Sequence, residues 1–187
     1  MTPAHGLRWC GGRTRLARLA AVFVAVAAAA CGKTEDVGPA DVAMQFYVTL
    51  ELSGVREVPE PRALLALEPY LSDSLTVALR RARARRDGGA APTGGASPVT
   101  DGNPFSGFFE GHSTYRVRGA STRGDTALVT MAFSNVDQKP AVEWTDTLVV
   151  VRSGAGAAAR WRIADLRYGT TWEFGHRGTL LQVLREP

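Results

Sequence analysis

Hydrophobic positions along this chain change rhythm three times. Leu19 to Ala30 is an unbroken apolar run of twelve residues. From Pro39 the rhythm becomes helical. In "PADVAMQFYVTLELSG", Val42, Phe46 and Leu50 recur every fourth residue, Ala43 and Tyr47 lie beside them, and Gly54 is placed to stop the helix. "PRALLALEPYL" predicts one or two further turns, interrupted at Pro69. "SDSLTVALRRARARR" restarts the helix, with Ser72 as N-cap, Asp73 near its positive end, and Leu71, Leu75, Ala78, Leu79 and Ala82 as its apolar face.

Past Asp87 the periodicity stops. Residues 87–104, "DGGAAPTGGASPVTDGNP", hold Gly, Ala, Pro and Ser with few apolar anchors, and predict a flexible surface loop within one domain. The rhythm then becomes two. "STYRVRG", "DTALVTMAFSN", "VEWTDTLVVVRS" and "ARWRIADLRYG" each alternate, and Val129, Met131 and Phe133 share one face. Short connections make the four strands antiparallel. "GTLLQVLRE" closes the chain as a short amphipathic helix through Leu180, Leu181 and Leu184. The expected class is α+β: N-terminal helices packed on a curved four-stranded antiparallel sheet, with a short C-terminal helix.

The first apolar run is explained by what flanks it. Arg8, Arg13, Arg15 and Arg18 precede it, and no acidic residue comes before Glu35. A basic segment followed by twelve apolar residues fits an export signal, and it is shorter than the roughly 17–25 residues a membrane span needs. Small residues Ala28, Ala29 and Ala30 lead directly into Cys31. This junction resembles the lipobox of bacterial lipoproteins. The resemblance implies a signal peptide at 1–30, acylation of Cys31 with chains such as palmitate, and a polar tether over 31–39 ahead of a single domain at 40–187. It also implies a membrane partner through lipidated Cys31. Gly32 in place of aspartate favours the periplasmic face of the outer membrane, the alternative being the outer face of the cytoplasmic membrane. An ordinary secretory signal with an incidental cysteine, or a retained membrane helix, are the competing explanations.

Composition changes meaning once the leader is set aside. The whole chain carries 22 Lys+Arg against 18 Asp+Glu, but four of the arginines lie in the leader. The rest is balanced, which gives no case for nucleic acid as a partner. Cys10 and Cys31 are the only cysteines, so the domain has no disulfide and no thiolate metal site. His112 and His176 are too few for a histidine-rich metal centre, and no cofactor is expected.

The order of elements, with "AMQFYVTL", "LLALEPYLSDSLTVAL", "ARWRIADLRYG" and "LLQVLRE", resembles the nuclear transport factor 2-like (cystatin-like cone) superfamily. Within it the chain is most similar to bacterial domain of unknown function 3828. Phe46-Tyr47, Pro69-Tyr70-Leu71-Ser72 and Trp161-Arg162-Ile163-x-Asp165 carry the likeness. That superfamily hosts isomerases, dehydratases, binding modules and structural domains on one scaffold, so the fold leaves function open.

Four residues are candidates for lining a pocket. Strand alternation puts Trp161, Ile163 and Asp165 on one face, so Asp165 would approach the cone interior or rim. In a dry pocket it would be a base with a raised pKa; otherwise it is a structural carboxylate. Tyr47 either lines the cone's open end or is core. His112, just after the loop, reads as exposed unless folding brings it to Asp165 or Tyr115. The arginines of "RRARARR" (80–86) read as a solvated helix end, with anionic headgroups or a protein partner as alternatives. Ser72 and Ser74 lie in no nucleophile elbow, and there is no phosphate-binding glycine loop. The sequence therefore favours a non-catalytic envelope module that binds a protein or small ligand. An isomerase or hydratase using Asp165, and an immunity-type inhibitor of a toxic enzyme, are the alternatives.

Overall fold

Among the described residues, the first helix begins where Pro39 fixes its first turn. A computed structural model describes residues 37–88 and 102–185. The expected leader, Cys31 and most of the expected tether lie outside the described residues. Helix α1, Pro39–Leu52, buries Val42, Ala43, Phe46, Tyr47 and Leu50, the face its spacing predicts. The Asp41 carboxylate accepts from the Gly38 N–H at 3.2 Å, and Gly54 takes the left-handed φ of 64° that ends the helix.

Helix α2, Pro61–Leu67, gives way to a tighter turn at Glu68–Tyr70, where Pro69 cannot donate to the helical ladder. Leu71 then pairs with Ile163 as an isolated parallel bridge, and the Ser72 N–H donates to the Ile163 carbonyl at 2.8 Å. Helix α3, Asp73–Asp87, starts from Ser72, whose Oγ accepts from Leu75 N at 3.3 Å. Its arginine run is not simply solvated. Arg80 pairs with Glu68, Arg83 with Glu60 and Asp87, and Arg86 with Glu57, while Arg85 donates to the Leu184 carbonyl. Positions 80, 83 and 86 recur at helical spacing, so one side of α3 faces the acidic residues on either side of α2.

Strands β1 (Thr114–Arg123), β2 (Thr126–Asn135), β3 (Val142–Ser153) and β4 (Arg160–Arg167) form one sheet in the order β1-β2-β3-β4, every pair antiparallel. Helix α4, Leu180–Val183, follows. The class is therefore α+β, as the rhythm of the sequence predicts. One sheet face carries the core: Val129, Met131, Phe133, Trp144, Leu148, Val150, Trp161 and Ile163 are all buried, and α1 packs against it. The opposite face is half open.

Two bulges alter simple alternation. In β1 the register shifts between Val117 and Gly119, making Arg118 the extra residue. In β4, Val150 faces Ile163 while Val149 faces Asp165, so Ala164 is extra. Past that bulge the inward side chains are Leu166 and Tyr168. Strand β4 is covered along part of its outer edge by Leu71 and Thr179, whereas β1 has no strand beyond it among the described residues.

The end of the predicted 87–104 loop is packed. Asn103, Pro104, Phe105, Ser106 and Phe108 are buried, and residues 89–101 lie outside the described residues. Tyr47 Oη donates to the Phe105 carbonyl at 2.9 Å and Tyr168 Oη to the Pro104 carbonyl at 2.7 Å. Three phenylalanines in "NPFSGFF" supply the apolar surface that the Gly/Ala stretch before it lacks. This segment closes the space between α1 and the sheet.

Candidate functional site

Of the four residues singled out from sequence, Tyr47 and His112 meet in the core, while Trp161 and Asp165 lie apart from them on β4. Tyr47 is fully buried, and burial raises its phenol pKa well above the ordinary value, aided by nearby Asp146. His112, expected in an exposed loop, is buried, with its ring centroid 5.5 Å from Tyr47, 5.3 Å from Tyr115 and 5.0 Å from Phe133. The loop after Phe108 folds inward on α1, a long-range contact that no local sequence signal reports. Burial, with Arg56 adding to it, lowers the His112 pKa to about 4, so the ring is neutral. Its Nε2 lies 3.9 Å from Glu51 Oε1, beyond hydrogen-bond reach, while Tyr115 Oη donates to Glu51 at 3.2 Å.

Trp161 is buried on the core face, with the Arg152 guanidinium 5.3 Å from its ring. Asp165 does not share that face, because the Ala164 bulge rotates it to the opposite side. Its Oδ1 accepts from Leu166 N at 2.9 Å and from Leu181 N at 3.0 Å, fastening the start of α4. That is a structural assignment. It leaves no carboxylate of β4 in the interior.

The interior carboxylate is Asp146, which sequence reasoning passed over. It stands in phase with Trp144, Leu148 and Val150 on the buried side of β3, and that parity was the available signal. Asp146 is 1% exposed. Oδ2 accepts from Gly107 N at 2.7 Å and from Trp144 Nε1 at 3.1 Å; Oδ1 accepts from Gly169 N at 2.9 Å. Burial raises its pKa, and those three donors oppose the rise. Glycine is needed at both backbone donors. A Cβ on Gly107 would lie 2.6 Å from Asp146 Oδ1, and one on Gly169 1.9 Å from the Thr145 carbonyl. Asp146 therefore ties two separate loops to the sheet. Sealed from solvent and accepting three hydrogen bonds, it acts as a structural carboxylate.

One of those loops walls a cleft of about 650 Å³ on the half-open sheet face. Rows of paired residues form its floor: Thr114, Ser134 and Glu143 in one, Arg116, Ala132 and Thr145 in the next. Thr171 and Trp172 line it as well. Trp172 is half-buried and backed by aromatic rings, its centroid 5.8 Å from Phe174, 6.0 Å from Phe108 and 6.2 Å from Trp144. Arg116 and Arg118 make no ion pair among the described residues.

No family model matches the chain, and neither curated protein sequences nor solved structures give a match. The cleft must be read from its own chemistry. Among the described residues no cluster of His, Cys, Asp and Glu is arranged to hold a metal ion, and no helix is long and apolar enough to cross a membrane. A second groove of about 540 Å³ runs between the end of α1 and α2, past Arg56, Glu57, Glu60 and Arg62. Glu57 and Glu60 there already hold Arg86 and Arg83, whereas the sheet cleft offers two arginines without a carboxylate partner among the described residues.

Sequence reasoning missed this cleft for an identifiable reason. Alternation in "TYRVRG" does set Arg116 and Arg118 apart from Tyr115 and Val117, but Trp172 sits in irregular chain after β4. Only tertiary folding sets it beside the sheet.

Proposed function

We propose that the chain is a lipid-anchored lipoprotein of the cell envelope whose nuclear transport factor 2-like (cystatin-like cone) domain binds a protein or small ligand without transforming it. The observation that carries this reading is the sheet-face cleft, whose two arginines are unpaired among the described residues and share it with an aromatic wall packed from behind. Rigid aromatic surface with a few oriented polar groups is what binding sites are made of. The space where a cone would open is filled by Phe46, Tyr47 and Phe105, all nearly inaccessible, which supports binding over turnover in an internal pocket. A structural Asp165 supports it too.

Two measurements test the reading. Mass spectrometry of the native protein is expected to find an acylated Cys31 at the N-terminus; a chain that keeps residues 1–30, or an unmodified soluble form as the main product, would remove the anchor. For binding, the full chain labelled with ¹⁵N in detergent is titrated with small peptides, saccharides, fatty acids and amino acids. The indole N–H resonance of Trp172 is expected to move with one of these classes while that of Trp161 stays fixed. Movement centred on Tyr47 and His112 with consumption of the added compound would instead make the chain an enzyme. No movement at all would end the small-ligand reading.

A further inference from the structure

Resting on that binding reading, we propose that the sheet-face cleft is a subsite for an acidic saccharide, whose carboxylate or phosphate meets Arg116 and Arg118 while a sugar ring lies on Trp172. Four observations point there together. The first is charge. Arg116 and Arg118 both line the cleft, the bulge at Arg118 leaves its side chain outside the regular ladder, and neither has an acidic partner among the described residues. A guanidinium presents a flat fork of donors that matches a carboxylate or phosphate better than a point charge does.

The second is the opposing wall. Trp172 is packed by Phe108, Trp144 and Phe174, so little side-chain freedom remains to be lost when a ligand lands on it. The C–H face of a pyranose is apolar and suits an indole. The third is the floor. Ala132 leaves room above it, and Ser134 and Thr145 set hydroxyls on it, with the Thr114 and Ser134 hydroxyls already 2.7 Å apart. Such groups both donate and accept, which fits the hydroxyls of a sugar.

The fourth is Glu143 at the end of the floor. One carboxylate against two arginines leaves a single excess positive charge in the cleft. A polyphosphate or nucleic-acid backbone would meet repulsion there, whereas a saccharide with an isolated acidic group would find an acceptor for its hydroxyls. Size agrees. From β1 to the segment after β4 is about three strand spacings, roughly 14 Å, and the cleft volume of about 650 Å³ lies within the range of small-molecule sites.

The test uses the full chain in detergent and four probes: a xylotriose bearing one glucuronate for the carboxylate, maltose 1-phosphate for the phosphate, maltotetraose as the neutral saccharide, and inorganic phosphate as the bare anion. One of the two acidic saccharides is expected to saturate the Trp172 indole shift below about 1 mM. Maltotetraose and inorganic phosphate are each expected to bind at least tenfold more weakly. The exposed double variant Arg116→Gln/Arg118→Gln is expected to melt like the parent and lose at least tenfold in affinity for the acidic probe. Which acidic probe wins assigns the group. Equal binding of maltotetraose would overturn the acidic requirement. Equal binding of inorganic phosphate would overturn the saccharide, and unchanged affinity in the double variant would overturn the site. If no saccharide moves Trp172 but a peptide or fatty acid does, this inference falls and the binding reading stands. If nothing moves it, both fall.

Discussion

Replacing Asp146 by alanine is expected to lower the stability of the domain by about 4–6 kcal/mol, enough to unfold it at moderate temperature. The carboxylate is the common acceptor for the Gly107 N–H, the Gly169 N–H and the Trp144 indole N–H, in a place water does not reach. Alanine leaves three buried donors unpaired, and each costs about 1–3 kcal/mol. One effect works the other way: burial raises the pKa of Asp146, so the anion is held at some cost that alanine removes. Three orphaned donors outweigh one desolvated carboxylate because each loses its acceptor in a buried place. Typical domains hold only about 5–15 kcal/mol in total. Asp146→Asn keeps one acceptor oxygen but turns an amide nitrogen toward an N–H, so a smaller loss of about 2 kcal/mol is expected. Thermal unfolding should rank parent, Asn and Ala in that order, with Ala at least about 10 °C below the parent. An Ala variant melting within a degree or two of the parent would refute the clamp.

Acid is expected to weaken the fold well before its carboxylates titrate as a group. His112 and His176 are both buried, and neither ring has a hydrogen-bond partner of good geometry among the described residues. Burial lowers each pKa from 6.5 to about 4; Arg56 adds to this at His112, and the backbone of Asn103 opposes it at His176. A depressed folded pKa means that the unfolded chain takes up protons first. The stability held by each neutral ring is complete above pH 6.5 and declines as pH falls from 6.5 towards 4. Between pH 8 and pH 5 each ring accounts for a loss of about 2 kcal/mol, about 4 kcal/mol together. Asp146 has the opposite sign: its raised pKa makes protonation favour the folded state, which moderates the loss at the acid end. Urea unfolding at pH 8, 6.5 and 5 measures the slope, and His112→Gln with His176→Gln should flatten it. A parent whose stability is level from pH 8 to pH 5 would show that both rings gain partners or solvent when protonated.

The helices were legible because their signals are local. Val42, Phe46 and Leu50 repeat at the helical period, Ser72 is a side-chain cap, and Gly54 has the one backbone freedom a stop needs. Strand identities and the inward set of Val129, Met131 and Phe133 were legible for the same reason, since alternation is a short-range property. What was not legible depended on exceptions to that alternation or on distant partners. "RIAD" carries no mark of the extra residue at Ala164, so Asp165 was assigned to the wrong face. His112 looked exposed because its neighbours Tyr47 and Phe133 are far away in sequence. Asp146 could have been found: a carboxylate in phase with Trp144 and Leu148 must be buried, and a buried carboxylate must have donors.

The bulge at Arg118 has a consequence for crowding. β1 is ten residues long and, among the described residues, forms an edge of the sheet, with backbone N–H and C=O groups of the kind a neighbouring copy pairs with. A flat partner strand cannot follow the local twist that a bulge imposes. Arg116, Arg118 and Arg123, facing the same three residues of a second molecule across such a seam, would repel it. Copies of this chain can therefore be concentrated without one sheet growing into the next, and the solution should stay free of fibrous material where a straight, uncharged edge would seed it.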